Sequence, residues 1–441
     1  MRTKSVDLKK KTVLVLILLF SLLFGTCSPR KVADFNIVLI VIDTLRSDHL
    51  SFYGYHRETS PFLSELAGQS IVFKNAYSAS SWTSPATASI FTSMYPFQHG
   101  VLMGLLAVIR ARKDLDMEVK VNKIPEEIET ITEVLKRNNF KTYGISDNLN
   151  IGQKQGFTQG FDRFQTFNYR GAERVNDILK KWKEDIIQGG QYFLYLHYMD
   201  PHAPYHHRQP FYQPQQGKKN ITIEAYDSEI YYVDQYIREA FQLFNWKENT
   251  LVIVTSDHGE GLWDHGFMGH GYTLYREEIQ VPLLFYLPEN KIFKEINSNV
   301  STIDILPTVR ELAGLPPEKN DVGTSLFPLI EKTEELPDQR HLFSYLWRLG
   351  TPEREEIEFR SVVYKRMHYI LKLPNSRELY NLNSDTQEQS NRFGSHQKSG
   401  RYLELKFSQF LKKAKKYNPK TVFYKLSQDK LEKLKSLGYV E

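Results

Sequence analysis

Three segments of this chain are apolar at nearly every position, and each stops abruptly at acidic or imidazole side chains. Asn36–Ile42 reads Asn-Ile-Val-Leu-Ile-Val-Ile and is followed by Asp43. Tyr192–His197 reads Tyr-Phe-Leu-Tyr-Leu-His and runs into Asp200 and His202. Thr250–Thr255 reads Thr-Leu-Val-Ile-Val-Thr and is followed by Ser256-Asp257-His258-Gly259. A strand with one face in water alternates polar and apolar residues. These runs do not alternate, so both of their faces must be covered. Helical patterns such as Ile128–Asn138 and Ile230–Phe244 separate them. Strands alternating with helices over about 300 residues indicate an α/β domain with a large, mostly parallel sheet flanked by helices.

Sites in open α/β sheets form at the carboxyl ends of the strands. Asp43 follows six aliphatic residues. A carboxylate there is costly unless a cation or hydrogen-bond donors meet it. Arg46 or a backbone cap is one way to meet it. The other is a divalent metal held by Asp43, Asp257 and His258, an oxygen–nitrogen set. The segment Ser81–Ser89 adds a fourth element. Pro85 suits the first position of a helix and Ser84 its cap. Thr83 then lies at a helix N-terminus, where free N–H groups and the dipole attract an anion. A hydroxyl beside a divalent metal has a lowered pKa and is a nucleophile at neutral pH.

Pro316, Pro317 and Gly323 mark a change of pattern near residue 325. We divide the chain into an export segment at 1–26, a catalytic domain at 34–325 and a smaller C-terminal α+β subdomain at 326–441. The last has short strands at Ser361–Tyr364 and Tyr369–Lys372. Its segment Tyr402–Lys416 places Leu403, Phe407, Phe410 and Leu411 at helical spacing with lysines opposite. Such a helix packs one face on a core and leaves the other solvated; contact with an anionic membrane is the alternative.

The formal net charge is +5 over 441 residues, unevenly placed. Residues 1–26 carry +4, and residues 398–441 carry +8 from twelve Lys or Arg against four acids. Residues 27–397 are therefore at −7, which argues against nucleic acid as a partner. Residues 1–26 also hold an apolar run from Val13 to Phe24, broken only by Ser21 and too short to span a bilayer comfortably. Cys27, the one cysteine, follows directly, so no intrachain disulfide and no cysteine metal cluster can form. Leu23-Phe24-Gly25-Thr26-Cys27 resembles a bacterial lipoprotein signal, which implies lipidation of Cys27 and residence in the cell envelope or periplasm. Thr26 departs from the usual Gly, Ala or Ser at its position.

Taken in order, the motifs resemble those of the sulfatases, within the alkaline-phosphatase-like superfamily. Val41-Ile42-Asp43-Thr44-Leu45-Arg46-Ser47-Asp48-His49-Leu50 with Tyr53-Gly54 is similar to the family's first metal-binding segment. Pro85 through Tyr95-Pro96, then His99-Gly100-Val101, resembles the nucleophile helix and its exit. Tyr198-Met199-Asp200-Pro201-His202-Ala203-Pro204-Tyr205 resembles the internal histidine motif. Asp257-His258-Gly259-Glu260, then His265-Gly266, His270-Gly271, Leu274-Tyr275 and Val281-Pro282, resembles the second metal segment. Ile303–Thr308 and Glu378–Leu382 match later landmarks.

The departures fall on the chemistry. The family's Cys-x-Pro-x-Arg, whose cysteine or serine becomes formylglycine, reads Thr83-Ser84-Pro85-Ala86-Thr87. The usual Asp-Asp reads Ile42-Asp43, the usual Asp-Asn reads Asp257-His258, and His270 stands for the usual lysine. Asp43, Thr83, Asp257 and His258 resemble the single-metal set of the superfamily's threonine-type phosphotransferases and phosphodiesterases. Imidazole in place of an amide oxygen favours zinc or manganese over calcium or magnesium. A second metal on Asp200, His202 and His270 is disfavoured, because Asp200 and His202 are only two residues apart. The resemblance implies a metal-dependent hydrolase of sulfate or phosphate esters. Thr83 is its nucleophile, His202 or His270 serves the leaving group, and an anionic glycan, lipid or small molecule is the substrate. Two alternatives stand beside it. One is transfer of a phosphoryl or phospho-alcohol group to envelope lipids or glycans; the other is an inactive, sulfatase-like binding lipoprotein.

Overall fold

The computed structural model describes residues 34–105, 119–287, 293–331, 340–348 and 356–424, so the export segment and Cys27 lie outside it. Its centre is a nine-stranded sheet. Asn36–Ile42 runs in the middle, parallel to Tyr192–Tyr198 on one side and to Thr250–Thr255 on the other. Lys141–Ser146 and then Arg163–Thr166 continue the parallel array beyond Tyr192–Tyr198. Beyond Thr250–Thr255 the segment Leu283–Tyr286 runs antiparallel, as does Gln280–Val281 against Ile71–Tyr77. Ile71–Tyr77 and Lys294–Ser301 resume the main direction.

Alternation along the strands sorts their side chains into two layers. Leu39, Val41, Phe193, Tyr195, Leu251 and Ile253 share one core with the helices Thr83–Thr92, Ile131–Arg137 and Ile305–Leu312. Ile40, Ile42, Leu194, Leu196, Val252 and Val254 share the other with Pro61–Ala67, Ala172–Gln188 and Lys218–Leu243. Continuous apolar runs are what a sheet covered on both faces requires. The helix expected at Ile128–Asn138 begins later, because Thr130 and Glu133 form a capping box. The helix expected at Ile230–Phe244 starts earlier, at Lys218.

A separate four-stranded antiparallel sheet is built from His341–Arg348, Ile357–Tyr364, Met367–Lys372 and Ser376–Asn381. The two short strands read from the sequence lie within its middle members. The helix Gln397–Lys413 lays Leu403 and Phe407 onto this sheet, while Lys412 and Lys413 face solvent. A last strand, Thr421–Tyr424, leaves this module and pairs with Val119–Asn122. No helix among the described residues is long and apolar enough to cross a membrane.

Candidate active site

The sheet decides which side chains meet. Leu39 and Val41 face the helix Thr83–Thr92, and Asp43, two residues on, keeps that face. The same alternation carries His197 there after Phe193 and Tyr195, and Asp257 after Leu251 and Ile253. The helix opens at Thr83, one residue before the expected cap. Trp82 flanks it in an extended conformation without a side-chain cap, and Ser84 Oγ is buried and unpartnered. Pro85 is the third helical residue, inside the first turn, where a missing N–H forfeits no helical bond. Thr83 therefore sits at the positive end of the helix dipole.

Thr83 Oγ1 lies 3.3 Å from His258 Nε2 and 3.5 Å from Asp43 Oδ2. His258 Nε2 is 3.6 Å from both Asp43 Oδ1 and Asp257 Oδ2. Asp43, Asp257 and His258 offer ligand atoms within 4.8 Å of one another, the one such group among the described residues. Arg46 does not neutralise Asp43; it pairs with Asp48 at 2.8 Å and Asp264 at 2.6 Å.

Asp43 Oδ1 and Asp257 Oδ2 are buried with no hydrogen-bond partner. Bare carboxylate oxygens are costly away from water, and these two face the same imidazole nitrogen. His258 Nδ1 donates to the Gly259 carbonyl at 2.8 Å, so Nε2 keeps its lone pair. Two carboxylate oxygens and one imidazole lone pair fit a divalent cation. The protonation states of His258 and Asp43 suit a cation as they stand, and Asp257 would release a proton on binding one. Burial and the neighbouring His270 push His258 down to about 3, which keeps the ring neutral. Burial and the charge of Asp43 push Asp257 well above the usual carboxylate range. Burial acts upward on Asp43 too, but hydrogen bonding led by His197 holds Asp43 low.

The His270 ring lies tilted 4.4 Å from that of His258 and meets His202 edge-on at 4.9 Å between centroids, which places both candidate leaving-group residues beside the metal-ligand set. His270 Nδ1 faces Glu260 Oε1 at 3.0 Å, and burial pushes Glu260 up to about 7. His202 Nδ1 faces the Ala203 carbonyl at 2.6 Å and the Tyr169 hydroxyl at 3.0 Å. Tyr169 takes φ 52° to reach it, a left-handed conformation unusual for a bulky residue. Burial and His270 lower the His202 pKa. Asp200 turns elsewhere: its Oδ1 accepts from Ala172 N–H at 3.2 Å, at the start of Ala172–Gln188, with Arg208 at 3.6 Å.

Two contacts to Asp43 were not anticipated. Asn148 Nδ2 donates to Asp43 Oδ2 at 2.8 Å, and His197 Nε2 lies 3.1 Å from the same oxygen. Asn148 follows the strand Lys141–Ser146, whose Lys-Thr-Tyr-Gly-Ile-Ser carries no continuous apolar run. His197 was in view as the end of a buried run, and its isolation as an imidazole there was the available signal.

Residues 35–315 match the family described as Sulfatase, and residues 261–416 match N-sulphoglucosamine sulphohydrolase, C-terminal. The chain is similar to Delta 4,5-hexuronate-2-O-sulfatase of Bacteroides thetaiotaomicron, 22% identical over 421 residues, covering 81% of this chain and 84% of that protein. It is also similar to a phosphoethanolamine transferase of Helicobacter pylori, 24% identical over 62% of this chain and 51% of that one. A solved structure described as a 2-O GAG sulfatase superposes with a TM-score of 0.69 at 17% identity, covering 86% of this chain and 93% of that one. A match that takes in most of the large sheet and the whole Asp43–Thr83–Asp257–His258 cluster makes this chain a member of the sulfatase family, an ester hydrolase of that kind.

Proposed function

We propose that the protein is a metal-dependent ester hydrolase that opens anionic esters through a covalent intermediate on Thr83. The observation that carries this reading is the convergence of Thr83 Oγ1 with two bare carboxylate oxygens and one imidazole lone pair. Asp43, Asp257 and His258 would hold one divalent cation, zinc or manganese before calcium or magnesium, with Thr83 Oγ1 completing the set. When bound, such a cation lowers the pKa of the hydroxyl and offsets charge on the ester oxygens.

The remaining roles belong to the chain. Asp43 Oδ2, 3.5 Å from Thr83 Oγ1, is the acceptor that the hydroxyl proton faces. Thr83 Oγ1 bonds to sulfur or phosphorus as the bond to the leaving oxygen breaks. The first-turn N–H groups of Thr83–Thr92 hold the charged oxygens of the group in transfer. His202 and His270 line the leaving-group side, and His270, backed by Glu260, is the better placed to supply a proton. Water then attacks the Thr83 ester and frees the side chain.

Sulfate esters on glycans are the substrate class that the sulfatase relatives support. A second reading, phosphoryl or phospho-alcohol transfer to envelope lipids or glycans, draws on two observations. A threonine ester has no formylglycine-type collapse to release sulfate, and one similar protein is a phosphoethanolamine transferase. We place the protein in the cell envelope, tethered through Cys27, on the strength of its export-type N-terminus. The test is a panel of sulfate and phosphate mono- and diesters with defined metals, followed by peptide mass analysis of trapped enzyme. We expect metal-dependent turnover and a phosphoryl or sulfuryl adduct on the Thr83 peptide. Full turnover by Thr83→Ala would refute the mechanism.

A further inference from the structure

We propose that Tyr195 and His197 form a positioning relay that fixes the Asp43 carboxylate and reserves Asp43 Oδ1 for the cation. The inference rests on the metal reading above and concerns residues outside the ligand set.

His197 is the one imidazole in the strand Tyr192–Tyr198, and it is fully buried at the centre of the sheet. A core position needs only volume, which leucine or phenylalanine supplies at no polar cost. A buried imidazole is tolerated when both nitrogens have partners. Both do here. Nε2 lies 3.1 Å from Asp43 Oδ2, and Nδ1 lies 2.7 Å from the Tyr195 hydroxyl. An ionised carboxylate only accepts, so Nε2 carries the proton and donates to Asp43. Nδ1 then accepts from the Tyr195 O–H. The partners fix the tautomer.

The relay is anchored at its far end. Tyr195 is fully buried, and its ring meets Phe91 of the helix Thr83–Thr92 edge-on, 4.9 Å between centroids. The strand that carries Tyr195 and His197 is also the direct parallel neighbour of Asn36–Ile42, with Val41 opposite His197. Position and hydrogen bonding thus come from one rigid element.

The consequence appears in how the two Asp43 oxygens are treated. Oδ2 receives N–H donors from His197 and from Asn148. Oδ1 receives none and faces His258 Nε2 at 3.6 Å. Turning the carboxylate would break two buried hydrogen bonds, so the bare oxygen is held toward the site rather than left to chance. Groups that orient metal-binding side chains in this way typically contribute about 10–100-fold in metal affinity.

The experiment is a competition titration of the metal-stripped full chain with Zn²⁺, and separately Mn²⁺, against a chromophoric chelator. Wild type is compared with His197→Leu, His197→Gln and Tyr195→Phe, each checked for folding by its metal-free melting temperature. We expect His197→Leu to weaken binding about 10–100-fold. His197→Gln should recover most of that loss, since its amide N–H can donate to Oδ2. Tyr195→Phe should weaken binding severalfold with one metal still bound per chain. A folded His197→Leu with wild-type affinity overturns the relay. Should that variant fail to fold, wild-type affinity in Tyr195→Phe, which removes one hydroxyl, overturns it instead. If the wild type itself binds neither ion, the metal reading fails along with it. Wild-type binding with unaffected variants sinks the relay alone.

Discussion

Asp257 is placed against its own folding preference. Two carboxyls share one buried site, and the charge of Asp43 with burial drives the Asp257 pKa upward. A group that must take up a proton to stay buried costs stability at neutral pH. Asp257→Asn should therefore raise the melting temperature of metal-free protein while abolishing the further rise expected of the wild type on adding zinc or manganese. Differential scanning calorimetry with and without metal checks both signs. An unchanged metal-dependent rise in the variant would remove Asp257 from the ligand set. Thr83 is the complementary case. It caps nothing, so Thr83→Ala should shift stability by about 1 kcal/mol or less, as other exchanges at helix starts do. Turnover should fall by at least about 10³-fold, since the covalent route has no substitute nucleophile. Thr83→Ser, which keeps the hydroxyl, should retain measurable turnover on the same ester.

At the scale of elements, ion-paired clamps join the two sheets. His265 Nδ1 faces Glu277 Oε1 at 2.6 Å, and its Nε2 faces the Glu388 carbonyl at 3.0 Å. Both nitrogens meet acceptors, so both donate and the ring is a cation. Burial acts downward on it, but Glu277 and the Glu388 carbonyl outweigh that and raise His265 to about 9. A histidine raised on folding adds stability that is fully present below its unfolded value of about 6.5. That contribution falls away as pH climbs toward about 9. We expect the melting temperature to decline across pH 7–9 and the decline to be shallower in His265→Gln. A variant with an unchanged slope would assign the decline to other groups. Glu388 accepts from Arg276 N–H at 2.9 Å and also pairs with buried His368, so the clamp reaches from the segment His265–Glu277 into the antiparallel sheet. The sequence read this scale unevenly. Asn36–Ile42 and Thr250–Thr255 announced themselves because a strand covered on both faces cannot be polar. Asp43, Asp257 and His258 stood out because they end those runs. Lys141–Ser146 stayed hidden because it lies next to the sheet edge and admits Lys, Thr and Ser, and Asn148 was lost with it. Ser84, expected as the cap, is the second helical residue, two positions on, because Pro85 tolerates any place in a first turn.

On the scale of the whole molecule, the C-terminal module is tied back to the large one. Arg340 holds Asp304, Tyr417 N–H donates to the Gln98 carbonyl at 2.8 Å, and Lys123 N–H donates to the Lys420 carbonyl at 3.0 Å. Pro419 packs so closely on Gly100 that a Cβ there would lie 2.5 Å from its ring. Gly100 also has φ 73°, so two independent constraints call for glycine. Removing residues 417–441 should lower the melting temperature by at least about 2 °C. It should also open a protease-sensitive site at Val119–Asn122, which loses its strand partner Thr421–Tyr424. Wild-type resistance in that truncated chain would show that the strap carries no load.

The central strand pairs on one side with Thr250–Thr255, more than two hundred residues away along the chain. A ribosome-bound chain that has not reached that point lacks a whole flank of its middle strand, and it also lacks Asp257 and His258. Asp43 and Thr83 are made early and must wait, with nothing to bind a cation tightly. Loop closure over such a span is also slow. On the metal reading proposed above, the ligand set is therefore complete only once Thr250–Thr255 has docked beside Asn36–Ile42. Nascent chains stalled before Thr250 should capture neither zinc nor manganese.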